Sequence, residues 1–394
     1  MPVLTSLIAL SVLPNQATAV NRQSFNANQA WTMVSQMISQ RYYARASRGV
    51  EMQRILSKYA DQAKSAQDEE AFAAVMDRMI PEFGDSHFDF LTREDQGFYV
   101  FNQLIGELMN RDVVKLANIG AWFEPVEKGY RVKMVLNGSE AEKKGLRKGD
   151  IILSADGGPF QPVSSFVDKE SVTLKVMRDD QEMTVQVSPV TQGAIDMFYD
   201  GTRRSAKIIE RDGKRFAYLR VWTMIDKKFH EFMSNYALRG AGSGTDGFIY
   251  DLRDGFGGRP EGFYEPFFAP NYKIEWDMGG TKSNQITGYS NPLCVLTNEG
   301  TRSAKEVVSA IFKQSGRAFM LGRPTSGDVL GTSPLPIGDW AFLEIPMVNL
   351  HFEGQQLEKN PVQPDKMMDK EYDAEGNDLV IEEAIKHLLE KSKN

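Results

Sequence analysis

One cysteine, Cys294, serves 394 residues. With no second thiol the chain can close no internal disulfide, and a thiolate-ligated metal cluster has too few ligands. Histidine is nearly as scarce: His87, His230, His351 and His387 are the whole supply. No two of them have the spacing that puts two imidazoles on one helix face, so the residues imply no metal, and no other cofactor either. A formal net charge of −7 with no basic stripe argues against a nucleic-acid partner, because nothing would hold phosphates in register. No later run approaches the roughly 18 apolar residues of a membrane span, so no transmembrane segment is expected in the mature chain.

The longest apolar run lies at the start, from Val3 to Leu13, and is followed by Ala17-Thr18-Ala19. The run is too short to cross a bilayer, and the small-x-small triplet is what a signal peptidase accepts, although no Lys or Arg precedes it. Residues 1–19 are therefore expected to be an export signal, and the protein to act in the periplasm or outside the cell.

The remaining composition, 41% apolar and 25% charged, is that of a globular protein with length for two or three cores. Changes of period divide it. Over 20–110, stretches such as "VEMQRILSKYADQAKSA" and "EEAFAAVMDRMIPEF" repeat their apolar residues at helical spacing, predicting a small helical domain that ends near Gly84 and Asp85. Over 113–190 short strands alternate with glycine turns, and over 200–394 apolar strands alternate with helices, the pattern of an α/β domain. The strand "WAFLEIPMVNLHF" is read as part of that last domain.

Two stretches in the last part carry candidate chemistry. "LTNEGTRSAKEVVSAIFKQSG" reads as a strand end, a tight turn and an amphipathic helix with Ser303 in its first turn, which is either a helix cap or a nucleophile. "GFIYDLRDGFGGRPEG" ends a buried strand at Asp251 and Arg253, read as a buried pair, and then places Gly255, Gly257 and Gly258 in one turn. Clustered glycines at a strand end let backbone N–H groups approach a ligand.

The segment "YRVKMVLNGSEAEKKGLRKGDIILSADG" resembles a PDZ domain. That resemblance implies that the loop Ile119-Gly120-Ala121-Trp122 receives a peptide's terminal carboxylate, with Gly120, Ala121 and Trp122 as the peptide-binding residues; a nest of N–H groups beside a sheet edge suits the task. Taken in order, "DLRDGFGG", "TRSAKE", "GRPTSGD" and "LEKNPVQPD" resemble the C-terminal processing peptidase and tricorn-core family of serine peptidases, over roughly Asp85 to Asp365. The fold class this implies is α/β with a crotonase-like peptidase core, preceded by the PDZ β-rich domain and the helical N-terminal domain.

The resemblance makes Ser303 the nucleophile and gives the oxyanion hole to the N–H of Ala304 with that of Gly257 or Gly258. Many members of the family use a lysine in the "G..T.GK" segment as base; here Asp328 stands in its place, so a Ser-Lys dyad is excluded at that position. Lys305, two residues from the serine on a helix, points elsewhere and is read as solvated. The tricorn-like branch takes its base from a "D.H" segment, which maps to His87 in "GDSHFDF", and orients it with a glutamate that maps to Glu358. Asp85 and Asp89 are alternative orienting carboxylates, and His351 is the reserve base. The family's Asn at Gly255 and its Gly at Pro361 are replaced. The expected activity is endopeptidase hydrolysis of a polypeptide substrate through an acyl-enzyme on Ser303, with the PDZ domain binding the substrate, its C-terminus included, or gating it. The alternative is an inactive peptide- or apolar-ligand-binding protein on the same scaffold.

Overall fold

The structure is a computed structural model that describes residues 25–391; the expected export signal at 1–19 lies outside them. The chain opens with helices α1 (Ala27–Arg41), α2 (Gly49–Lys64) and α3 (Glu69–Met79). Asn26 and Asp68 cap the first and third, their side chains accepting from the N–H of Gln29 and Ala71, which satisfies donors that have no partner inside the helix. A short strand β1 (Asp89–Thr92) and helix α4 (Gln96–Met109) follow.

Five antiparallel strands then form one sheet in sequence order: β2 (Ala121–Val126), β3 (Gly129–Val135), β4 (Ile151–Ala155), β5 (Val172–Arg178) and β6 (Gln181–Val187). Alternate residues such as Val132, Ile152, Leu174, Val176 and Val185 make its core, as period-2 strands with one buried face require. Strand β2 is an edge of this sheet.

Helix α5 (Ala194–Ser205) leads into the last part. There β7 (Lys207–Arg211), β8 (Lys214–Arg220), β9 (Gly247–Asp251), β10 (Leu293–Thr297) and β11 (Phe319–Gly322) join β14 (Lys366–Met367) in a six-stranded sheet of order β14-β11-β10-β9-β8-β7. Its pairs are parallel except β7 with β8. One face, with Leu219, Phe248, Tyr250 and Val295, packs on α5, α6 (Lys227–Leu238) and α7 (Ala304–Ser315). The other, with Phe216, Tyr218, Ile249, Cys294 and Leu296, is covered by α8 (Leu379–Lys391). Burial on both faces is why these strands read as unbroken apolar runs.

Strands β12 (Gly331–Ile337) and β13 (Ala341–Val348) form a hairpin outside that sheet, and β13 also pairs antiparallel with β1. Leu335, Ile337, Trp340, Leu343 and Ile345 of this hairpin share one core with Trp31, Ile38, Ile55, Phe72 and Met76 of the first three helices. This corrects two readings: "WAFLEIPMVNLHF" is not a strand of the α/β sheet, and the N-terminal helices do not close a core of their own. Periodicity reveals that a face is apolar; it does not say which distant strand covers it.

Candidate active site

Ser303 sits between β10 and α7 at the helix N-cap, with φ 59° and ψ −130°. A left-handed φ is strained for a residue with a Cβ, and the Ser303 side chain makes no cap bond. An ordinary cap has the opposite traits: extended backbone and a hydroxyl bound to the helix. The Ser303 N–H donates instead to the carbonyl of Asp328 at 2.8 Å. Beside it runs the turn after β9. A Cβ added to Gly257 would lie 2.4 Å from Ser303 Cβ and 2.7 Å from both Ser303 Oγ and the Ala304 nitrogen, so only glycine fits there. Gly255, with φ 79°, would place a Cβ 1.9 Å from the Trp222 carbonyl oxygen, which accounts for glycine at that departure from the family pattern. Gly258 lies against the Met224 carbonyl.

A second group of residues gathers around His87. Its Nδ1 is 3.1 Å from Ser86 Oγ, and Ser86 Oγ donates to Glu358 Oε2 at 3.0 Å. The same Glu358 oxygen accepts from the N–H of Val329 at 2.8 Å and of Leu330 at 3.3 Å, on a side chain that is nearly fully buried. Because the Ser86 hydrogen goes to a carboxylate, Nδ1 must be the donor to Ser86, which leaves the Nε2 lone pair free. Burial, with Arg302 nearby, pushes the His87 pKa down to about 3, so the ring is neutral. Ser86 escaped the sequence reading; its signal was its place next to the histidine.

The two groups meet through residues 328–330. The Asp328 carbonyl accepts the Ser303 N–H, while the next two N–H groups hold Glu358. Glu306 fixes this segment, accepting from Thr325 Oγ1 at 2.6 Å, Gly327 N–H at 2.7 Å and Asp328 N–H at 2.8 Å. The other candidates stand elsewhere. Asp85 is bound by Tyr42, Tyr43 and Arg48, Asp89 faces Glu344 across the β1–β13 pair, and His351 is exposed on a separate hairpin.

Lys305 corrects an expectation. It is fully buried, not solvated, and Nζ donates to the Asp254 carbonyl at 2.6 Å. It points away from Ser303 as a helical i, i+2 offset requires, but that side of the helix end meets the glycine turn instead of water. Asp254 is bound further by Lys148 of the β2–β6 domain at 2.7 Å and by Arg220 at 2.7 Å. Asp251 and Arg253 are a fully buried pair at 2.6 Å, extended to Tyr218 and Asp378.

The expected peptide loop is also occupied, by the chain itself. Gln96, the first residue of α4, donates from Nε2 to the Ala121 carbonyl at 2.9 Å and accepts from the Phe123 N–H at 3.0 Å. Its amide thus pairs with the free edge of β2 as an added strand would. The Gly120 N–H donates to Asn118 Oδ1, and the Trp122 ring packs on Phe198 and on Phe256 of the glycine turn. In this conformation side chains of the chain itself meet the Gly120 and Phe123 N–H groups and the Ala121 carbonyl. Among the described residues no group of three or more His, Cys, Asp or Glu could hold a metal ion, and no helix is long and apolar enough to cross a membrane.

Residues 215–368 match the sequence model of peptidase family S41, and residues 117–188 that of the PDZ domain. A carboxyl-terminal-processing protease of Synechocystis sp. is 24% identical over 285 residues, covering 67% of this chain and 65% of the relative. A tricorn protease homologue of Saccharolobus solfataricus is 26% identical over 304 residues, covering 70% of this chain but 28% of the relative. The chain thus spans just under two thirds of the first and less than a third of the second. The crystal structure of the tricorn protease matches the fold with a TM-score of 0.58 at 19% identity, over 94% of this chain and 37% of that one.

Proposed function

We propose that this chain, whose core belongs to peptidase family S41 and follows a PDZ domain, is a serine endopeptidase with Ser303 as nucleophile, His87 as general base and Glu358 as the carboxylate that orients it through Ser86. Ser303 Oγ attacks the carbonyl carbon of the scissile bond while its proton passes to His87 Nε2. The charge that moves to the carbonyl oxygen is met by the N–H groups of Ala304 and Gly257, near the positive end of α7, where each donor is worth about 3 kcal/mol. Collapse breaks the C–N bond, and the amine leaves with the proton from His87. Water then repeats the steps on the acyl-enzyme, releasing the acid and restoring Ser303.

The observation that carries this reading is the strained Ser303 backbone, pressed against a glycine that tolerates no side chain. Neutral His87, with its proton on Nδ1 and a lone pair on Nε2, supports its role as base. Polypeptide is the substrate class, and the PDZ domain gates it: Gln96 must leave the β2 edge before a peptide strand can pair there. The apolar run at Val3–Leu13 supports action outside the cytoplasm. A fluorophosphonate probe tests the proposal. Labelling should be lost in Ser303→Ala and fall at least about 100-fold in His87→Ala; a wild type that resists the probe, yet binds peptides, would make the chain an inactive peptide-binding protein on this scaffold.

A further inference from the structure

The catalytic reading leaves unused a buried cation two residues past the nucleophile. Lys305 Nζ donates to the carbonyl of Asp254, and a Cβ built on Gly255 would lie 3.1 Å from that nitrogen. Both residues belong to the turn that brings Gly257 to Ser303. Asp254 has a left-handed φ of 52°, which is strained for a residue with a Cβ, and Gly255 follows at 79°, which glycine adopts freely. The Asp254 side chain is held by Lys148, Arg220 and Asn298; its carbonyl is held by Lys305. One helix end therefore carries the nucleophile and also grips the peptide unit that aims the oxyanion donor.

Resting on the peptidase reading, we propose that Lys305 is a positioning residue: its buried amine clamps the Asp254 carbonyl and so fixes the 254–257 turn with the Gly257 N–H directed at the oxyanion formed on Ser303. The charged groups facing it are Arg220 from β8, Asp251 at the end of β9 and Asp254 on the turn. Glu306 follows it on α7, and Lys148 lies beyond Asp254. Burial, reinforced by Arg220, lowers the Lys305 pKa to about 7. The clamp is an ammonium below that value and a neutral amine above it, and charge-assisted hydrogen bonds are the stronger ones. Turnover should therefore weaken as pH rises through the neutral range.

The test uses the full chain and the rate at which a fluorophosphonate modifies Ser303, with the inactivation constant and the probe affinity resolved separately from about pH 5.5 to 9. Lys305→Met should lower the inactivation constant roughly 10- to 100-fold with affinity within about twofold, and should abolish the decline through neutral pH. Lys305→Gln keeps an N–H donor without a titratable charge; it should recover part of the rate and lack the same Lys305-dependent component of the decline. Glu306 and Glu344, whose pKa values burial raises to about 7, remain in every variant, so the difference between profiles isolates Lys305. A wild type that the probe does not label overturns the peptidase reading and this one together. A labelled wild type whose Lys305→Met variant keeps its inactivation constant and its pH profile overturns the clamp alone.

Discussion

Lys305→Met should make the protein more stable at low pH and less stable at high pH. A lysine normally titrates near 10.5, and burial holds this one at about 7. At 1.36 kcal/mol per pH unit, carrying its charge inside the fold costs about 5 kcal/mol. The cost is full below about pH 7, where folded and unfolded chains are both protonated, and absent above about pH 10.5, where both are neutral. Between these limits the unfolded chain binds the extra proton, so wild-type stability rises with pH. Methionine removes the titration but leaves the Asp254 carbonyl without its donor, a loss of roughly 1 to 3 kcal/mol. The variant should then exceed wild type by about 2 to 4 kcal/mol at pH 6 and fall below it by up to about 2 kcal/mol near pH 10. Urea titrations followed by tryptophan fluorescence at several pH values measure the difference. A variant less stable than wild type by one margin throughout would refute the reasoning, because Lys305 would then carry no buried-charge cost.

Three further outcomes are expected. Gly257→Ala sets a Cβ 2.4 Å from Ser303 Cβ and should cut fluorophosphonate labelling at least about 100-fold, measured by in-gel fluorescence of the folded variant. Arg302→Gln removes the cation that helps hold His87 neutral, so the His87 pKa should rise, read directly by NMR titration of its ring protons. Gln96→Ala frees the β2 edge and should tighten the binding of fluorescent peptides with a free C-terminus about 5-fold or more in polarisation assays, a release of roughly 1 kcal/mol of competing hydrogen bonds.

Much of this architecture is legible in the chain because burial leaves a period. The unbroken runs of β9 and β10 mark a sheet covered on both faces, and Ser303 stands where a strand gives way to a helix. The glycines at 255 and 257 were visible as a cluster, but the approaches that exclude a side chain at each are tertiary distances. Ser86 lay unseen beside His87 because a single serine has no periodicity. Lys305 was misplaced for a related reason: a polar residue near a helix end is usually wet, and only the Asp254 turn packed over it makes it dry. Gln96 opens α4, and its pairing with β2 joins residues that no local pattern connects.

The central claim is that Ser303 is a nucleophile served by His87. Mass spectrometry of the fluorophosphonate-treated protein tests it most directly: the account predicts one phosphonyl adduct, on the peptide containing Ser303, strongly reduced in His87→Ala. An adduct on another serine, or no adduct on wild type that is folded, would contradict it.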